Sequence, residues 1–436
     1  MIKFFPVTSR INTVLEHLRT PLIRNGYALI ISTGITSLLG LIYWTIAARV
    51  YATENVGLNS TVISTMLFLS GMAQLNLQET MVRFIPQAGK QTLRLVLSTY
   101  AIVIFLSTLV GLIFCLGISI WSPALSFLAE SSAAIGWFVF ALVAQGIFVI
   151  QDSVLMGLRQ ALWIPFENTI SSILKILLLI GLFVTFPLNG IFISWTVSVA
   201  LVILPVSYLL FRHLIPTYSR NAPAQTSSLP LRQITRYVAG NYVVALLANM
   251  STALLPILII QFVGPTANGH FYIAWVLASS LQVAVANMST SLTVEGSASQ
   301  ENLEEHKRKA MIGIARIVLP LTVIIILGAP LILEIMGPGY RENSTVLMQL
   351  LAISALPNIY NMVRVALARV QNRITTVVFI YAANAAMVLG LSVIFLPHFG
   401  ITGVGLAWVI SQTLIAIVLS TLPKLKRTDT ILEKES

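Results

Sequence analysis

Apolar runs of about 20 residues recur along this 436-residue chain, from Tyr27 almost to its C-terminus. Each run is long enough to cross a hydrocarbon core roughly 30 Å thick. Only 9% of the residues are charged, whereas a soluble protein of this length carries roughly 25%. Because lipid offers no hydrogen-bond partners to an open backbone, each run is predicted to form a helix. The sequence therefore predicts an all-α polytopic membrane protein.

Twelve spans are predicted, at residues 26–48, 58–80, 95–119, 134–157, 163–185, 190–211, 237–263, 270–293, 314–336, 345–367, 374–396 and 401–422. The segments between them are too short for a soluble catalytic domain, so we expect no enzyme activity and no catalytic group. We also expect no cofactor and no metal site. The single cysteine, Cys115, lies inside an apolar run, so no intrachain disulfide is possible.

The net charge of +11 is interpreted as a topology signal rather than as a sign of nucleic-acid binding. Of the 26 Lys and Arg residues, 21 lie in segments on one side of the predicted spans, and only Arg49 and Arg341 lie on the other side. The positive-inside rule then predicts that both termini are cytoplasmic. We expect a multi-pass protein of the bacterial inner membrane with no nucleic-acid partner.

Two copies of a six-span unit are recognisable in the chain. Val56-Gly57 and Asn268-Gly269 lie 212 residues apart, and similar stretches that begin at Asn189 and Thr402 lie 213 residues apart. Nearly equal offsets at two separate places indicate an internal duplication. Since six is even, the copies are predicted to be parallel bundles with a substrate cavity between them.

The polar, Pro- and Ser-rich stretch 212–236 is predicted to be a cytoplasmic linker between the copies. It separates an N-terminal bundle, 26–211, from a C-terminal bundle, 237–422. Residues 1–25 are predicted to form an interfacial segment, because apolar residues at helical spacing alternate with basic ones over residues 9–22. The alternative is an ordered lead-in with no role of its own. Residues 423–436 are predicted to form a cytoplasmic tail.

Short motifs add a family resemblance. The stretches 44–51 and 55–57, the stretch 82–86, which closes the predicted second span, and the turn 337–340 resemble polysaccharide flippases of the O-antigen type. That family belongs to the superfamily that also holds the lipid II flippases and the multidrug and toxic-compound extrusion transporters. The resemblance implies two six-helix bundles of the extrusion-transporter kind.

The resemblance also implies a function. A flippase would move a polyprenyl-diphosphate-linked oligosaccharide across the membrane by alternating access, for export of surface polysaccharide. The head group of this lipid-linked substrate would occupy a cationic cavity. The partners of the flippase would be membrane lipids and other polysaccharide assembly proteins. The alternative is a cation-coupled multidrug extruder, although predicted spans 1–3 carry no acidic residue in mid-membrane. A membrane-embedded glycan-processing enzyme is disfavoured by the short outer loops and the lack of paired carboxylates.

Lys175 is the most conspicuous charge inside a predicted span. It lies about twelve residues into span 5, roughly 18 Å from the inner end. Ionisable side chains within a membrane are candidate functional groups by default. We expect Lys175 to face the cavity and attract a diphosphate or an acidic sugar. The alternative is a structural ion pair with Glu167 or Asp152.

Further polar residues are candidates for substrate binding, namely Arg24, Arg316, Arg364, Asn249 and Asn287. Snorkelling toward the interface is the simpler interpretation for several charges near span ends, including Asp152 and Glu167. Joining helices is the simpler role for most intramembrane amides.

A gate is predicted from the repeat. Arg83 and Glu295 lie 212 residues apart and each follows a valine. We expect an ion pair between them that closes the cytoplasmic side. Two solvated surface charges that contribute almost nothing are the alternative.

Overall fold

The structure is a computed structural model, and it describes residues 21–221, 231–298, 303–371 and 373–421. All regular elements in these ranges are helical, and no strand occurs in them. Twelve helical segments in these ranges are long and apolar enough to cross a membrane. The all-α fold class and the number of spans predicted from the sequence are confirmed.

The first six spans are built from eight helices, separated by short turns. They are α1 (Pro21–Val50), α2 (Thr53–Ala73), α3 (Leu77–Ala88), α4 (Thr92–Leu116), α5 (Ser132–Gly157), α6 (Trp163–Leu182), α7 (Gly190–Leu209) and α8 (Ile215–Asn221). Single helical turns lie at Gly89–Gln91 and Ile118–Trp121, a short 3-10 helix lies at Pro123–Ala129, and a π-helical turn at Leu210–Leu214 joins α7 to α8.

The remaining spans contain seven helices. They are α9 (Leu231–Ala253), α10 (Leu255–Phe262), α11 (Pro265–Ala298), α12 (Leu303–Met336), α13 (Tyr340–Val370), α14 (Ile374–Phe399) and α15 (Ile401–Thr421). The predicted interfacial segment, the middle of the predicted linker and the predicted cytoplasmic tail lie largely outside the described residues.

The second span is shorter than predicted. The sequence predicted one helix over 58–80, but α2 ends at Ala73 and the backbone turns through left-handed conformations at Leu75 and Asn76, with φ of 48° and 59°. A separate helix, α3, then buries Met81 and Ile85 and exposes Arg83. The stretch 82–86 therefore lies on α3 and does not close span 2.

Contacts among the described residues form two units. The first holds the residues up to Ile273 together with Ile335–Pro338, and the second holds Ala274–Glu334 and the residues from Gly339 onward. In the first unit, Met81 of α3, Val96 of α4 and Val154 of α5 share a fully buried cluster. The division into six and six spans at residues 212–236 stays a prediction.

The second unit has a core of its own. Val285 of α11, Val318 of α12 and the small residues Ala352 and Ala355 of α13 are all fully buried in one cluster. Small side chains let helix backbones approach closely, which is the usual basis of helix association in lipid.

Candidate functional site

A cavity of about 440 Å³ inside the first unit is lined by several polar and ionisable side chains. Helices α1, α5, α6 and α7 line it. Five hydroxyl side chains face it, from Ser32, Thr33, Thr36, Ser171 and Ser172. Ionisable groups from two of the helices complete the polar wall, so the cavity offers both donors and acceptors to a ligand.

Lys175 of α6 lies on this cavity, within the first unit. Its ammonium Nζ is 3.4 Å from the ring centroid of Trp195 and 5.7 Å from that of Tyr43. A cation over an aromatic face is attracted by the ring quadrupole, and more strongly where water is excluded. Among the described residues, no ion pair joins Lys175 to Asp152 or Glu167. The ammonium is therefore stabilised by rings rather than by a fixed anion.

The aromatic wall that receives Lys175 is itself held rigidly. Tyr43 of α1 is 1% exposed, and its hydroxyl donates to the carbonyl of Ile191 at 2.9 Å and lies 3.0 Å from Ser194 Oγ. The ring centroids of Tyr43 and Trp195 are 5.9 Å apart in an edge-to-face arrangement. These contacts tie α1 to the first turns of α7, so the rings keep their positions when the cavity is empty.

Two carboxyl groups lie on helices that line this cavity, and one of them, that of Asp152, forms part of its wall. Asp152 of α5 lines it and accepts a hydrogen bond from Asn168 Nδ2 at 3.1 Å. Glu167 of α6 is 3% exposed, and neither of its carboxyl oxygens has a hydrogen-bond partner among the described residues. The two carboxyl groups interact electrostatically. Interpretation of Glu167 as a snorkelling side chain is wrong, because the side chain is buried within the unit.

Of the other predicted binding residues, those whose side chains the structure describes do not line this cavity. Arg316 is exposed on α12, and Arg364 is half-buried on α13. Asn249 is exposed on α9 and donates to the carbonyl of Ala245 in its own helix at 2.9 Å. The side chains of Arg24 and Asn287 lie outside the described residues. Their roles in substrate binding stay predictions.

Only one of the two residues of the predicted gate has a described side chain. Arg83 lies on the exposed face of α3, with its guanidinium 5.8 Å from the ring centroid of Phe84. The side chain of Glu295 lies outside the described residues. The ion pair between them stays a prediction.

Buried amides in the second unit join helices to each other. Asn361 of α13 donates to the backbone and side-chain oxygens of Gln412 of α15, at 2.9 and 2.8 Å. Gln412 in turn donates to Asn384 of α14 at 2.9 Å. This chain of amides fits the helix-joining role expected for most of these residues.

Sequence reasoning missed several cavity residues. No sequence pattern points to Tyr43, and Trp195 lies in the repeated stretch that begins at Asn189 without any sign of a binding role. For Asp152 the sequence predicts only an ion-pair partner or a snorkelling charge. In the described part of the chain, no group of three or more His, Cys, Asp or Glu side chains is arranged to hold a metal ion.

No protein-family model and no curated protein matches the chain. Solved structures do match it. One, described as an inward-facing multidrug resistance MATE family transporter of the MOP superfamily, has 17% identity and a TM-score of 0.68, and the match covers 88% of this chain and 92% of that chain. An outward-facing counterpart has 18% identity and a TM-score of 0.62, with coverage of 91% and 93%.

A third structure is a MOP superfamily transporter from Pyrococcus furiosus, described by the reverse polarity of its binding pocket. It has 16% identity and a TM-score of 0.63, and the match covers 91% of this chain and 93% of that chain. Identities this low show the fold and nothing finer. The predicted fold, similar to that of multidrug and toxic-compound extrusion transporters, is confirmed.

Proposed function

We propose that this protein is a membrane transporter that works by alternating access and carries out no chemical conversion of its cargo. The observation that carries the proposal is the polar cavity beside Lys175, enclosed by membrane-spanning helices of a transporter-like fold. Polar and ionisable groups are costly in a membrane interior and typically mark the path of a substrate or ion. A purely structural bundle has no need of such a cavity.

Extrusion of small organic solutes is the first candidate for the transported cargo. Two of the similar structures are described as multidrug resistance transporters. Half-buried Asp152, which lines the cavity, and buried Glu167 supply carboxyl groups that a coupling cation or proton requires. They come from spans 4 and 5 rather than from spans 1–3. This arrangement removes the sequence-based objection that early spans lack an acidic residue.

Flipping of a lipid-linked oligosaccharide is the second candidate. The motifs at 44–51 and 82–86 resemble polysaccharide flippases, and no carboxylate of the described residues forms an ion pair with the ammonium of Lys175. An ammonium without a counter-ion suits a diphosphate or an acidic sugar. This candidate adds a polyprenyl-linked glycan and the polysaccharide assembly machinery as partners, in the bacterial inner membrane.

A paired experiment separates the two cargos. The chain is produced in a bacterial host that lacks its main drug exporters, and the gene is deleted in its native cell. Extrusion predicts higher tolerance to cationic drugs in the host and an unchanged surface glycan in the deletion strain. Flipping predicts unchanged tolerance, with carrier-linked glycan trapped on the inner leaflet after deletion. If neither measurement changes with expression or deletion, both cargo assignments are wrong.

A further inference from the structure

A second cavity in the first unit, of about 420 Å³, is separate from the candidate site. It lies where α2, α5 and α7 meet the turn Pro123–Ala129 and the connection between α6 and α7. Its walls are mainly aromatic and aliphatic, with Val62, Leu128, Trp137 and Phe192 among the lining residues. Three of these four, Val62, Leu128 and Phe192, are at most 5% exposed. The inner wall of the cavity is therefore covered by other parts of the protein.

The cavity suits an apolar occupant rather than water. Protein interiors contain few voids much larger than a water molecule, and apolar voids stay dry. The amide of Asn59 reaches the wall but is already fully engaged. Its Nδ2 donates to the carbonyls of Asn55 and Leu188, each at 2.7 Å, and its Oδ1 accepts from the backbone N–H of Phe192 at 3.0 Å.

The exposed connection 183–189 forms the mouth of the cavity and is mainly apolar, although Asn189, which also lines the cavity, is polar and exposed. Phe186 lines the cavity and is 47% exposed, and its neighbours Val184 and Leu188 are 84% and 64% exposed. No charged residue occurs in the connection 183–189. By the predicted topology this connection is on the outer side, where such side chains meet the acyl chains of the bilayer. The molecule with access to the mouth is therefore a membrane lipid.

One buried polar group in the wall lacks a partner among the described residues. Trp137 lines the cavity, and its indole Nε1–H is buried and without a hydrogen-bond partner among the described residues. A buried donor without an acceptor is costly. An ester carbonyl of a glycerophospholipid is a suitable acceptor, because it lies at the boundary between the head group and the acyl chains, where tryptophan side chains concentrate.

We infer that this cavity is a lipid site that takes one acyl chain of an outer-leaflet phospholipid, with the lipid ester carbonyl accepting a hydrogen bond from Trp137. The site is independent of the cargo of the transporter, and it requires only that the chain spans a bilayer. The bound chain replaces a void between α2, α5 and α7, and so it stabilises the outer end of the first unit.

Fluorescence quenching tests the site directly. The full-length protein is reconstituted in phosphatidylcholine with and without mid-chain bromination, and the emission of Trp137 is obtained as the difference between the unaltered protein and Trp137→Phe. Ala134 lines the cavity, whereas its neighbour Ala133 does not and is exposed. Ala134→Phe therefore fills the site, and Ala133→Phe is the matched control.

We expect strong quenching of Trp137 in the unaltered protein and in Ala133→Phe, and weak quenching in Ala134→Phe. Native mass spectrometry in detergent should show one retained phospholipid, with retention reduced about tenfold in Ala134→Phe, as loss of a buried apolar chain segment implies. Trp137→Phe, which removes the donor and keeps an aromatic ring in the wall, should also weaken retention. Equal quenching in both alanine variants, or undiminished lipid retention in Trp137→Phe and Ala134→Phe, overturns the inference.

Discussion

Gly57 of α2 and Gly269 of α11 lie so close together that a Cβ built on Gly57 would be 2.8 Å from the backbone nitrogen of Gly269 and 1.8 Å from the carbonyl oxygen of Pro265. A Cβ on Gly269 would lie 2.2 Å from the carbonyl oxygen of Thr53. Each glycine is the fifth residue of its helix. The two positions that the repeat equates are therefore packed against each other, backbone to backbone, within the first unit.

This contact predicts a sharp effect of a single methyl group. Gly57→Ala forces a Cβ into a backbone carbonyl, which no side-chain rotation can relieve, and overpacking of this kind costs about 1–3 kcal/mol. We expect a lower midpoint of thermal unfolding in detergent. The matched control is Gly71→Ala on the same helix, where a Cβ meets nothing within 4 Å. A control that loses as much stability as Gly57→Ala would contradict the close approach.

Asn268 of α11 also contacts α2, beside the two glycines. Its Nδ2 lies 2.8 Å from the carbonyl of Gly57, 3.1 Å from Ser60 Oγ and 2.8 Å from Thr61 Oγ1, and the side chain is fully buried. We expect Asn268→Ala to lower thermal stability by roughly 0.6–1.7 kcal/mol, the range measured for hydrogen bonds between helices in lipid. Asn249→Ala is the control, because that exposed amide bonds only within its own helix. Equal stability of the two variants would show that the amide does not join α2 to α11.

Much of the fold could be predicted because hydropathy alone decides which segments can cross a bilayer. The break after Ala73 could not, since apolar residues such as Leu75, Leu77 and Met81 continue past the end of the span. What ends the helix is a left-handed turn at Leu75 and Asn76, and then α3 packs its apolar face on protein. Hydropathy does not distinguish a side chain buried against lipid from one buried against another helix.

The candidate site was only partly predictable for a similar reason. Counting residues along span 5 gives the depth of Lys175, but the direction of the side chain depends on which neighbouring helix presents an aromatic face. Trp195 is 20 residues further along the chain, and no spacing rule links the two. The burial of Glu167 was missed because it lies in the first turns of α6, where charged side chains usually reach the interface.

Lys175 should affect transport and stability in opposite directions. A charged group in mid-membrane costs about 2.5–3.5 kcal/mol on insertion scales, so Lys175→Gln is expected to raise the unfolding temperature. An anionic cargo would lose a charge-assisted hydrogen bond worth about 1.5–3 kcal/mol, which lowers its apparent affinity roughly 10- to 100-fold. Uptake into inverted vesicles at matched protein levels measures the second effect.

Lys175→Arg is the control for charge, since it keeps a cation that can stack on Trp195. Undiminished transport by Lys175→Gln would show that the Lys175 side chain does not bind the cargo. A fall in both stability and transport would instead indicate that Lys175 holds the bundle together.

The carboxyl groups of half-buried Asp152 and buried Glu167 should respond differently to the same substitution. Glu167 has no hydrogen-bond partner for either oxygen in the described part of the chain, so Glu167→Leu removes an unsatisfied polar group and is expected to raise thermal stability. Asp152→Leu also removes the acceptor for Asn168 Nδ2. A buried donor left without a partner costs about 1–3 kcal/mol, so this variant should be the less stable of the two.

A double variant tests whether the Asn168 contact explains that difference. In Asp152→Leu/Asn168→Leu the orphaned donor is removed together with its acceptor, and replacing both partners by apolar groups is often nearly neutral. The unfolding midpoint should therefore recover toward that of the unaltered protein. Failure to recover would mean that Asp152 stabilises the bundle through something other than Asn168. Cation-dependent transport measured on the same three variants then decides whether either carboxyl group also carries the coupling ion, because a purely structural pair would leave the ion dependence unchanged.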